Sequence, residues 1–149
     1  MMNRIVNLRP FFVAFLLGIS CPFAFAPFGF FPLAILAPAG LLALIQSTTK
    51  RRAFWLGYAF GLGQFGAGVY WIYISIYYFG GVSLPIALFI MALFFAYLAC
   101  YPAFTCYLTQ RYFEKPTPLT FICAYPAIWV FLEWARSFII TGFPWLLIG

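Results

Sequence analysis

The sequence has no histidine, and its only carboxylates are Glu114 and Glu133; aspartate is absent. These absences exclude a Ser-His-Asp triad and a histidine-ligated metal site. The four cysteines, Cys21, Cys100, Cys106 and Cys123, show no CxxC spacing. They read as small apolar side chains rather than as a metal or redox motif. Nothing here calls for a metal or another cofactor. Charge of any kind is scarce, at 7% of residues, while 66% are hydrophobic and 24% aromatic. A soluble domain of this length could not keep such a surface wet. Long apolar runs with few charges are the pattern of membrane helices.

The net charge of +6 raises the question of nucleic acid. The basic residues form short clusters between apolar runs, not one aromatic-interleaved face, so no nucleic acid is expected. Their placement reads as topology information. The first 26 residues mimic a signal peptide, with Arg4 and Arg9, an apolar stretch and Ala24-Phe25-Ala26. Pro27 would follow the cut, and a further apolar run begins at once, so a retained segment is expected.

The chain divides into apolar segments at 11–25, 30–46, 54–78, 84–108 and 119–140, with 143–149 as the start of a further helix. The fold class expected is an all-α polytopic membrane bundle of about five transmembrane helices plus the start of a sixth. Pro22, Pro27, Gly29 and Pro32 make the first turn, and FGGVSLP at 79–85 makes another. Fifteen residues rise only ~22 Å, so the first segment is either a marginal span or one arm of a re-entrant hairpin. Segment three, at ~37 Å, should project its Tyr- and Trp-rich end into an interface. Pro126 marks a kink in segment five. With these boundaries, seven of the eight basic residues fall on one side, leaving Arg136 on the other. Basic residues accumulate in the cytoplasm, which places the N-terminus inside. The run GFPWLLIG closes the sequence without a polar tail, as expected of a truncated chain.

Two helical stripes carry the candidate functional residues. Gly57, Gly61, Gln64, Gly68, Trp71 and Ser75 fall within about 80° of arc. They form either a packing face or a groove lined by Gln64, Trp71 and Ser75. Tyr125, Trp129, Glu133 and Arg136 share a second arc of about 80°. Glu133 and Arg136, at i and i+3, can pair. Counted from Leu119, both fall in the outer third of the membrane, ~21 and ~26 Å along the axis. Three readings stand: a structural pair locking the helix to a neighbour, an anionic headgroup site using Arg136, or a catalytic Glu133. Trp134 and Trp145 are placed at the interface, with Gly142 and Pro144 turning the chain.

Three ordered blocks, FAPFGFFPLAIL (25–36), GVYWIYISIYYFGG (68–81) and EWARSFIITGFPWLLIG (133–149), resemble the N-terminal membrane domain of the bacterial apolipoprotein N-acyltransferases. The resemblance covers nearly the whole chain. It implies a multi-pass protein of the bacterial inner membrane that takes an acyl chain from phospholipid. The acyl chain is held as a cysteine thioester and passed to the amine of a diacylglyceryl-cysteine apolipoprotein. The resemblance also implies a catalytic Glu-Lys-Cys set in a nitrilase-like domain after the membrane helices. That domain is expected to be absent from these 149 residues, and no cysteine or lysine here matches its motifs. The fragment is therefore expected to be inactive alone. The alternatives are a non-catalytic membrane scaffold and a small transporter or channel subunit.

Overall fold

A computed structural model describes residues 8–46, 48–113 and 117–148. Arg4, Glu114 and Lys115 lie outside the described residues, as does Gly149. The described chain is all helical, without strands. Five helices carry the fold: α1 (Arg9–Ser20), α2 (Pro32–Ile45), α3 (Lys50–Gly68), α4 (Leu84–Tyr112) and α5 (Tyr125–Arg136). Four of them have a proline in the first turn, namely Pro10, Pro32, Pro85 and Pro126. There the missing N–H costs nothing and the fixed φ suits a helix start. The fifth, α3, uses a side-chain cap, with Arg52 N donating to Thr49 Oγ1 at 3.3 Å.

Several boundaries differ from those the sequence suggests, each for a local reason. The first helix stops at Ser20 rather than Phe25 and continues as a 3₁₀ turn, Cys21–Ala24. Pro22 has no N–H to donate to the carbonyl one helical turn back. Segment three begins at Lys50, because Thr49 caps it ahead of the basic cluster, and it does not continue to Tyr78. Gly66 and Gly68 weaken its end, and Val69 leaves helical geometry at φ −125°, ψ 18°. Tighter bonds follow, Ile72 N to Val69 O and Tyr73 N to Tyr70 O, and then a π turn at Ser75–Phe79. Helix α4 runs four residues past Leu108 to Tyr112.

Ahead of α5, a π turn at Thr120–Ala124 absorbs the disruption expected at Pro126. Helix α5 stops at Arg136 and does not reach Ile140. Ser137 N divides its bond between Glu133 O and Trp134 O, and Phe143 N folds back onto Arg136 O at 3.1 Å. Ile140, Gly142 and Leu146 all have positive φ. Residues 143–148 are consequently irregular, not the first turn of a helix.

Helix α3 is the centre of the bundle. Its Gly63 lies against Phe15 and Ile19 of α1, and Gly18 of α1 lies against Phe60 and Gln64. From Phe11 beside Arg52, through Gly18 beside Phe60 and Gln64, to Pro22 beside Gly68, the contacts advance along both chains, so α1 and α3 are parallel. On another face, Gly61 meets Ala99, and Gly57 meets Pro102 and Ala103, so α4 is antiparallel to α3. Small residues let these backbones approach closely. Helix α2 folds back along α1, with Gly40 on Leu17. Helix α5 runs alongside α3, with Trp129 against Phe60 and Arg136 against Phe65.

These directions bring Arg9, Lys50, Arg51, Arg52 and Arg111 to one end of the bundle. Arg52 of α3 lies over the Phe11 ring of α1 at 5.9 Å, and Gln110 Nε2 of α4 donates to Ile45 O of α2 at 2.7 Å, so all four of these helices have contacts there. All five basic side chains are exposed. Arg136 is near the opposite end. Around the waist, large apolar side chains such as Phe12, Ile35, Phe89, Leu93 and Phe131 face outward. Among the described residues, one helix, Leu84–Tyr112, is long and apolar enough to cross a membrane by itself.

Candidate functional site

The helical period of α5 points Tyr125, Trp129, Glu133 and Arg136 into the bundle, while Phe131 and Trp134 face outward. Tyr125 donates to Pro38 O of α2 at 3.1 Å. Trp129 meets Phe60 edge-on at 5.9 Å. One turn further, the Glu133 carboxylate accepts Ile148 N on both oxygens, at 3.1 and 3.0 Å. Arg136 Nη2 is 3.9 Å from Glu133 Oε1 and donates to Leu146 O at 3.5 Å. The guanidinium carbon lies 4.9 Å from the Phe65 ring centroid, a cation–π contact.

The side chain of Arg136 is 1% exposed and that of Glu133 8%. The two charges therefore face each other and the backbone of 146–148, not solvent. A buried charge is tolerated only when paired and hydrogen-bonded. Here the last described residues supply part of that pairing, and the pair in turn fixes their irregular path. Positive φ at Leu146 turns its carbonyl toward Arg136 and carries the chain on to present Ile148 N.

Gln64 joins this cluster. It is 1% exposed and lines the same small cavity as Tyr101, Thr105, Trp129, Glu133 and Arg136. Trp71 and Ser75 do not, because the helix ends at Gly68 and their stripe is lost with it. Trp71 packs instead on Trp145, with ring centroids 5.4 Å apart. The two indoles border a cleft of ≈670 Å³ that also includes Pro22, Phe25, Tyr70 and Pro144. Gly68 forms part of its wall beside Leu146. Ser75 is exposed on the π turn, and Trp134 is exposed beside Phe138, 4.8 Å away. Among the sequence candidates, the fold thus gathers Gln64, Glu133 and Arg136 in one place and Trp71 and Trp145 in another.

The contributions of Leu146 O and Ile148 N leave no mark in the sequence, since backbone groups carry no residue-type signal. Of the cysteines, Cys21 and Cys106 are buried, Cys100 is half-buried with its thiol directed to Ala96 O, and Cys123 is exposed.

Comparison with known proteins matches residues 17–149 to the family model described as the apolipoprotein N-acyltransferase N-terminal domain. The chain is 45% identical over 141 residues to the apolipoprotein N-acyltransferase of Vibrio vulnificus, covering 95% of this chain and 28% of that protein. For the Vibrio cholerae protein of the same name, the identity is 40% over 151 residues, covering 99% of this chain and 30% of the relative. For that of Coxiella burnetii it is 44% over 138 residues, covering 92% and 28%. The chain thus spans less than a third of the length of these relatives. With a match that runs from within α1 to its last residue, this chain belongs to the apolipoprotein N-acyltransferase N-terminal domain family.

Proposed function

We propose that residues 1–149 form the membrane-embedded domain of an enzyme that moves an acyl chain from phospholipid to the N-terminal amine of a diacylated apolipoprotein. The family match carries this reading. The bundle supports its membrane part. Basic side chains occupy one end, the waist is apolar, and the aromatic cleft lined by Trp71 and Trp145 lies toward the other end. That polarity suits a protein of the bacterial inner membrane with a cytoplasmic N-terminus. In this reading α1 to α5 all cross or enter the bilayer, the shorter α1 and α2 as a tightly turned pair.

The acyl-transfer chemistry lies outside these residues. A thioester intermediate needs a thiolate activated by a neighbouring base or cation. Cys21 and Cys106 are sealed in the apolar core instead, the Cys100 thiol donates to Ala96 O within its own helix, and Cys123 is exposed on the π turn ahead of α5. Glu133 is engaged by Ile148 N and Arg136 and serves to shape the outer end of the bundle beneath the catalytic domain.

The test compares two proteins reconstituted with phospholipid and a diacylated lipoprotein peptide. The complete gene product should add one acyl chain to the peptide, read by mass spectrometry. The 149-residue chain should insert into the vesicles and add none. A complete protein without transfer would refute the assigned reaction, and turnover by the short chain would refute the placement of the chemistry.

A further inference from the structure

Four polar atoms enclosed between α3 and α5 have no hydrogen-bond partner in the described protein: Gln64 Oε1, Trp129 Nε1, Arg136 Nε and Arg136 Nη1. The three side chains line one cavity. The volume open there to the centre of a water molecule is ≈10 Å³, room for about one molecule. Gln64 and Arg136 are each 1% exposed, so bulk solvent does not satisfy them. Buried polar groups are nearly always paired, with protein or with ordered water.

We infer that this cavity binds one water molecule that joins Gln64 of α3 to Arg136 and Trp129 of α5. The donor and acceptor pattern selects the ligand. Trp129 Nε1 and the two Arg136 nitrogens only donate, while Gln64 Oε1 only accepts. The ligand must therefore accept and donate at once, and water does both. A cation would meet the guanidinium. An anion would meet the Gln64 oxygen and the Glu133 carboxylate, which lines the same space. A phosphate group is also too large for it. With Gln64 Oε1 as the acceptor, one water proton goes to the amide oxygen and the two lone pairs take donors from Trp129 and Arg136.

The water completes a link from the central helix to the Glu133–Arg136 pair, and through that pair to residues 146–148. This concerns the interior of the bundle and holds whether or not the acyl-transfer reading does.

The experiment is a structure of the complete protein in lipid at a resolution that shows ordered water. A single spherical peak is expected within hydrogen-bonding reach of the Gln64 amide, the Arg136 guanidinium and Trp129 Nε1. Tetrahedral or elongated density, or Gln64 closing directly on Arg136, would overturn the assignment. Thermal unfolding of Gln64→Met, Trp129→Phe and the double variant gives a second reading. Two side chains that share one water should lose less together than the sum of their separate losses. Strictly additive shifts in Tm would count against the bridge.

Discussion

At Glu133 the two carboxylate oxygens both accept the amide of Ile148, while the contact with Arg136 is longer, at 3.9 Å. The partners of the pair are therefore not interchangeable: the carboxylate faces an N–H, and the guanidinium faces the Leu146 carbonyl. Exchanging them, Glu133→Arg with Arg136→Glu, would set donor against donor and acceptor against acceptor. The swapped protein should be no more stable than either single variant, as measured by unfolding in detergent; recovery toward wild type would show that pairing alone matters. Glu133→Ala leaves a buried guanidinium without its counter-charge, which costs about 3–5 kcal/mol. The same unfolding measurement checks that figure. The sequence shows that Glu133 and Arg136 can meet, since i and i+3 share a helix face. It does not show that both turn inward onto residues ten or more positions later, because that depends on a loop whose path only packing fixes.

Among the elements, α3 decides the most. Gly57 and Gly61 lie on its α4 face, and Gly63 lies on its α1 face. A Cβ on Gly57 would come within 2.5 Å of Pro102 O and 2.8 Å of the Ala103 Cα, both backbone atoms. Backbone cannot yield as a flexible side chain does, so Gly57→Ala should destabilise by about 1–3 kcal/mol. Gly66 is in the same helix, yet a Cβ there meets nothing within 4 Å. Gly66→Ala should therefore raise stability by roughly 0.5–1 kcal/mol, through lower backbone entropy in the unfolded chain. Opposite shifts in Tm from two Gly→Ala changes nine residues apart would separate close packing from helix propensity. The Gly57–Gly61 stripe is legible from spacing alone. The role of Gly63 is not, because it belongs to a second contact face that exists only once α1 lies parallel to α3.

For the whole molecule, the directions of α1, α3 and α4 gather five exposed basic residues at one end and leave Arg136 near the other. Basic side chains are retained on the cytoplasmic side, and the orientation proposed above rests on this asymmetry. A topology reporter fused at Thr49 should be cytoplasmic, and one fused at Ser83 should be outside. A cytoplasmic Ser83 reporter would invert the proposed topology and place the aromatic cleft at the cytoplasmic end.

The sequence by itself determined the helical class, the apolar exterior, the asymmetry of basic charge and the family. Each of these is a property of composition, local periodicity or motif order, and needs no knowledge of which helix touches which. Tertiary structure alone decided where the third helix ends, which stripe residues stay together, and what Glu133 and Arg136 hold. The break after Gly68 is what separates Trp71, in the aromatic cleft, from Gln64, which stays in the helix beside the buried polar cluster. A helical stripe persists only while its helix does, and buried charges take their partners from whatever backbone the fold brings within reach.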